Sequence, residues 1–273
     1  MFKKLQRSYK VKKMPLKPMR YKGLKLGYCW VGMKSSKYFV KGNSKSFETY
    51  KYDLDYVHDK KLIDHLIKKS IELQNKLNPV LARDSSRNRT RIIRRTNAFA
   101  ALLSEFLWRN YITLIAKKNN LNINISYGDF SSKDFDQTDL EIVSNSKKIK
   151  IEVRSSFPYK GVDMAILKNF DVIGWYENSV KIKEIRKDFY LRALFPYKVE
   201  NFTALIKKSF SVYLAGGASE YLLQNSDNSK YKKFIPYYER KPLNKPTRYR
   251  VIEPIYNGFD TYQVTKDILD TFV

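Results

Sequence analysis

The 273-residue sequence has one cysteine, two histidines, and 27 acidic side chains against 53 lysines and arginines. Each scarcity removes a class of chemistry. Cys29 alone cannot close an internal disulfide, and with His58 and His65 it cannot supply the four ligands of a structural zinc site. The two histidines are seven residues apart on one helical face, with no second ligand group near them in sequence, and are assigned to the surface. No Walker loop, GxGxxG fingerprint or GxSxG turn occurs, so no nucleotide cofactor is expected. No segment approaches the ~18 consecutive apolar residues of a membrane span; the most apolar stretch, Ala98 to Trp108, is broken by Ser104 and Glu105. The N-terminal MFKKLQRSYKVKKMPLKP has the cations of an export signal without the apolar segment that should follow them. These absences predict a cytoplasmic protein with no membrane partner.

Cations and aromatics fill the space left. Apolar residues make up 43% and aromatics 15%, enough for a sizeable core, while the formal net charge is +26. So many like charges oppose compaction, and a polyanionic partner whose phosphates neutralise them is the simplest account. An AT-rich genome favouring lysine codons explains the lysines better than it explains the arginine clusters. Nucleic acid, with double-stranded DNA first, is the expected partner.

Periodicity organises the chain. Residues 1–25 read as a basic arm, followed by short strand-like pieces at Leu26–Met33 and Lys37–Val40. Val57, Leu62, Ile63, Leu66, Ile67, Ile71 and Leu73 fall at helical spacing within Asp55–Leu77. A second helix is predicted over Thr96–Lys118, capped by Thr96 or Asn97. Strands are read at Leu121–Tyr127, Asp139–Val143 and Ile149–Ser155, with an acidic loop at Asp129–Gln137 and a turn at Ser144–Lys148. Further elements are read at Val162–Leu167, Asp171–Tyr176 and Val180–Ile185. Val199–Tyr213 reads as a helix stopped by Gly216-Gly217, and a last helix as Tyr262–Phe272. Asp188 and Arg192 fit one helix face and receive no role.

The chemistry gathers in the hairpin. In Ile149-Lys150-Ile151-Glu152-Val153-Arg154, period-two alternation sends Lys150, Glu152 and Arg154 to one face and the apolar residues to the other. Asp139 opens the neighbouring strand, so two carboxylates can meet and offer the hard oxygen ligands that magnesium or manganese takes. Such a metal polarises a phosphodiester and activates water, and a nearby cation offsets the charge of the transition state.

Asp139, twelve intervening residues and then Glu152-Val153-Arg154 resembles the PD-(D/E)xK motif of restriction-endonuclease-like nucleases, over about Phe99 to Tyr176. The resemblance implies an α/β fold with a mixed β-sheet core flanked by helices, here with basic N- and C-terminal extensions. It implies metal ligation by Asp139 and Glu152, a catalytic cation at Arg154, and a third metal ligand from an upstream helix, for which Glu105 stands in the right place. Thr138 replaces the motif's proline and Arg154 its lysine. Arginine stays protonated, so it can oppose negative charge but not accept a proton; Lys150, two residues earlier on the same face, is the alternative cation and Lys160 a more remote one. Gly27-Tyr28 with Tyr38-Phe39-Val40 resembles the opening of GIY-YIG nucleases, but no helical arginine follows at the needed distance.

The resulting expectation is a magnesium-dependent, type II restriction-like endonuclease cutting duplex DNA as a homodimer, with Mn2+ as a substitute. A junction-resolving or repair nuclease and a non-catalytic nucleic-acid-binding protein remain alternatives. The predicted divisions are a basic arm and helical region over 1–80, a nuclease core over 81–215 and a basic aromatic region over 216–273. DNA contacts are expected from the arginine-rich Arg83–Arg95, at Arg87, Arg89, Arg91, Arg94 and Arg95. Cations at a helix N-terminus oppose its dipole and so call for another reason. The tail adds Lys232, Lys233, Arg240, Arg248 and Arg250, interleaved with tyrosines as in phosphate-tracking or base-stacking surfaces.

Overall fold

The computed structural model describes residues 19–21, 24–26, 33–76, 90–127, 139–144, 146–177, 186–233 and 248–273. The chain starts with a short antiparallel pair, β1 (Met19–Tyr21) and β2 (Leu24–Leu26), then β3 (Lys34–Lys41), β4 (Ser46–Asp55) and helix α1 (Tyr56–Lys76). Helix α2 (Arg91–Lys118) is followed by β5 (Asn124–Tyr127), β6 (Leu140–Ser144) and β7 (Lys147–Ser156). A turn of helix, α3 (Val162–Met164), runs into a π-helical turn at Ala165–Asn169 and leads to β8 (Val172–Glu177) and β9 (Phe189–Leu194). Then come α4 (Val199–Leu205), β10 (Ser209–Ser219), α5 (Glu220–Asn225), β11 (Ser229–Lys233), β12 (Arg248–Ile252) and α6 (Thr261–Asp270).

Seven strands form one mixed sheet in the order β3-β4-β10-β9-β7-β6-β5. Only β7 and β9 are parallel within it, and a parallel pair needs a crossover; α3 and β8 occupy that crossover. β8 joins β12 and β11 in a separate three-stranded sheet. The fold is therefore mixed α/β with helices flanking the large sheet, as expected.

Alternation along the strands divides the core in two. On one face, Leu140, Ile142, Ile149, Ile151, Val153, Leu191, Val212 and Leu214 pack under α2 through Phe99, Leu103, Leu107 and Trp108. Leu62 and Ile63 of α1 and Val264 and Ile268 of α6 complete this layer. The opposite face buries Phe47, Tyr190 and Leu194 against Ile166, Val172, Trp175, Leu223 and Ile252. Each large apolar side chain so buried contributes about 1.5–3 kcal/mol.

Several boundaries differ from those read in sequence. Helix α2 begins at Arg91, because Thr90 rather than Thr96 caps it, its hydroxyl accepting the Ile93 N–H at 3.3 Å. The segment expected as one helix over Val199–Tyr213 is split: α4 ends at Leu205 and β10 starts at Ser209. The glycines expected to stop it lie inside β10, at a register shift between Leu214 and Gly217. Gly216 has φ +71, and a Cβ there would sit 2.0 Å from the Phe259 carbonyl oxygen, so the bulge requires glycine. The predicted divisions after 80 and 215 cross one sheet, since β3 and β4 join it from one side and β10 spans 215–216. His65 is half-buried rather than exposed, and burial holds its imidazole below the usual range. The Asp129–Gln137 loop and the Val180–Ile185 element lie outside the described residues, as does the interior of Arg83–Arg89. No helix among the described residues is long and apolar enough to cross a membrane.

Candidate active site

The β6–β7 ladder pairs Leu140 with Ile151, so one step further along the register Asp139 stands opposite Glu152. The Asp139 N–H donates to the Ile151 carbonyl at 3.1 Å, and the Val153 N–H donates to Asp139 Oδ2 at 2.6 Å. The hairpin thus fixes the aspartate by its backbone and by its own carboxylate. Burial pushes the Asp139 carboxyl up to about 6, against the Val153 N–H and the charges of Arg154 and Lys187, which pull it down.

The charged face of β7 continues into β9. In the parallel register Glu152 lies beside Tyr190 and Arg154 beside Arg192. Arg154 is tied in several ways: Nη2 sits 2.5 Å from Glu152 Oε1 and 3.4 Å from the Gly174 carbonyl, while Nη1 donates to Tyr176 Oη at 3.2 Å. Its guanidinium also lies 5.2 Å from the centre of the Tyr176 ring. Arg192 is buried and donates from Nη2 to Ser156 Oγ at 2.7 Å, with its carbonyl accepting Trp108 Nε1–H at 3.1 Å. Lys150 is held by its backbone, its N–H donating to Asp188 Oδ2 at 2.7 Å and its carbonyl accepting the Asp188 N–H at 2.9 Å.

The structure therefore brings Asp139, Glu152 and Arg154 together, with Lys150 on the same strand. Glu105 is buried on α2, the helix that covers the opposite, apolar face. Its charge acts on Tyr127, whose hydroxyl burial pushes up to about 12 despite Arg109. Among the described residues no group of three or more His, Cys, Asp or Glu side chains is gathered as a metal cage. Magnesium does not require one, since it keeps several waters and takes one or two carboxylates together with substrate phosphate.

The expected DNA contacts fall into two groups. Arg91 and Arg95 are exposed on the first turns of α2 and Arg94 is half-buried; Arg87, Arg89 and Arg240 lie outside the described residues. On the small sheet, Lys233 and Arg248 are exposed, and Arg248 lies 4.3 Å from the centre of the Tyr231 ring. Lys232 and Arg250 have structural partners. Lys232 Nζ is 2.6 Å from Glu253 and 3.1 Å from Asp171; burial lowers its ammonium, but these carboxylates outweigh that and hold it above its usual range. Arg250 donates to the carbonyls of Leu223 at 2.8 Å and Gln224 at 3.1 Å, near the end of α5.

Two cations of this neighbourhood, Lys187 and Arg192, carry no sign of their role in the sequence. Both are buried, and both belong to a segment whose four-residue spacing suits a helix and a strand equally.

No family model matches the chain, and no solved structure matches it. Over 211 residues it is 29% identical to a protein of Methanocaldococcus jannaschii described as uncharacterized protein MJECS01, an alignment covering 64% of this chain and 72% of that one. That similarity carries no statement of activity.

Proposed function

We propose that the chain is a metal-dependent DNA endonuclease of restriction type, with a restriction-endonuclease-like core and Asp139 and Glu152 as its metal ligands. The observation that carries this reading is the hairpin register, which sets the two carboxylates opposite each other on the charged face of β7. The donor set fits a hard divalent cation. Asp139 is a carboxylate whose burial outweighs its positive neighbours, and a second oxygen donor lies across the ladder. When bound there, Mg2+ or Mn2+ would supply Lewis acidity toward the scissile phosphate. The Val153 N–H orients Asp139, and Arg154 orients Glu152 while Tyr176 and Gly174 hold the arginine. Exposed Arg91, Arg95, Lys233 and Arg248 take phosphates of the duplex. One site per chain cuts one strand, so double-strand cleavage uses a homodimer.

A second reading, nucleic-acid binding without cleavage, is favoured by one contact: Arg154 stands in the motif's lysine position and is paired with Glu152 at 2.5 Å. Incubating the protein with plasmid DNA, with Mg2+ or with chelator, separates the two. The nuclease reading expects metal-dependent fragments that disappear in Asp139→Ala and Glu152→Ala, while DNA binding persists or tightens because a charge repelling phosphate is gone. Salt-sensitive binding with intact plasmid under every metal condition would establish the second reading instead.

A further inference from the structure

We propose that Lys187, rather than Arg154 or Lys150, supplies the positive charge that meets the reacting phosphate, an assignment that rests on the nuclease reading of the Asp139/Glu152 site. Lys187 is 2% exposed and among the largest fully buried side chains of the protein. Lysine is almost never buried to this extent unless its charge is compensated, because removing an ammonium from water is costly. A fold that buries one commits neighbouring groups to it.

The surroundings place that ammonium at the carboxylates. The Lys187 N–H donates to Tyr190 Oη at 3.0 Å, and Tyr190 is the register partner of Glu152. The next residue, Asp188, clamps the backbone of Lys150 through both its carboxylate and its N–H, at 2.7 and 2.9 Å. Lys187 therefore precedes β9 at a point pinned to the strand that carries Glu152, and its charge acts on Asp139. Arg154 is committed elsewhere. With Glu152, Tyr176 and the Gly174 carbonyl as partners it is a positioning residue for the glutamate.

The step this serves is hydrolysis of a phosphodiester. A water oxygen bonds to phosphorus, the bond from phosphorus to the leaving sugar oxygen breaks, one proton of the water passes to solvent, and the leaving oxygen takes a proton from solvent. Lys187 stays an ammonium throughout, and its charge opposes the negative charge that grows on the phosphoryl oxygens.

The test uses the full chain with Lys187→Met, Lys187→Arg and Asp139→Asn, read by plasmid cleavage in Mg2+ and by calorimetric titration with Mn2+ alone. Lys187→Met should slow cleavage by about 100-fold or more, the usual effect of losing one charge-stabilising donor. It should also bind Mn2+ several-fold tighter, since a cation beside the metal is gone. Lys187→Arg should keep a tenth or more of the unaltered rate, and Asp139→Asn should lose both cleavage and Mn2+ affinity. A Lys187→Met protein that cuts within threefold of the unaltered chain, while Asp139→Asn is inactive, overturns the assignment and leaves the nuclease reading standing. Loss of Mn2+ binding together with cleavage in Lys187→Met marks a structural role and also overturns it. Should Lys187→Met not fold, a slow or unfolded Lys187→Arg overturns it equally. An unaltered chain that cuts no DNA with any metal removes both this assignment and the reading beneath it.

Discussion

The two faces of the large sheet are built from the same strands and differ in nearly everything else. In β7, Ile149, Ile151 and Val153 enter the layer under α2, whereas Lys150, Glu152 and Arg154 carry charge on the other side. β9 repeats the division, with Leu191 and Ala193 on the first face and Tyr190 and Arg192 on the second. Stability and chemistry are thus separated by a single residue step. A one-position slip of register would exchange them, and the apolar face prevents that slip.

The largest way to break this division is to move a charge across it. Ile151→Glu places an unpaired carboxylate beneath α2 and should abolish cooperative unfolding in a circular-dichroism melt, because the cost of an isolated buried charge rivals the whole stability of a domain. Glu152→Gln, one residue away, should melt within a few degrees of the unaltered chain. Equal damage from both would show that the two faces share one energetic role.

A smaller effect is expected from the apolar layer's centre. Trp108 is 0% exposed and packs edge to face with Tyr111 at 6.2 Å, so Trp108→Ala should cost about 3–5 kcal/mol in urea unfolding. Since the Trp108 indole also holds the Arg192 carbonyl, a cleavage rate that falls further than the folded fraction would show the faces to be coupled through β9.

The smallest effect concerns a charge that this side of the molecule does bury. Asp59 is 3% exposed near the start of α1; burial and the charge of Asp55 raise its carboxyl above the usual 3.8, while the Asp55 N–H it accepts and His58 pull it down. A carboxyl raised in the folded state costs nothing while both states are protonated and weakens the fold as pH rises past the unfolded value toward and beyond the folded one. Asp59→Asn should therefore gain a few degrees of melting temperature at neutral pH and nothing near pH 3. A gain that persists at pH 3 would mean the aspartate's charge is not its cause.

The hairpin was legible because its signal is local. Alternation in Ile149–Arg154 and a turn before it fix which residues share a face, and Asp139 follows from register. The α1 and α2 helices were legible for the same reason. β10 was not, because Val199, Phe202, Ile206, Phe210 and Tyr213 fall at helical spacing while Phe210, Val212 and Leu214 fall at strand spacing, and only pairing with β4 and β9 decides between them. Lys187 was illegible for another reason. Nothing local distinguishes a lysine that will be buried from the many that will not, in a chain where cations outnumber acids 53 to 27.

The pairing of β4 with β10 joins Asp55 to Ser209 across most of the chain. A ribosome adding 5–20 residues each second takes roughly 8–30 s to travel that separation. Throughout that interval β4 has β3 along one edge and nothing along the other, with Tyr52 and Leu54 still awaiting the layer that will cover them. The nascent chain therefore carries an open, partly apolar strand edge of the kind that pairs with the wrong neighbour, and its yield in the cell should depend on how well that wait is shielded.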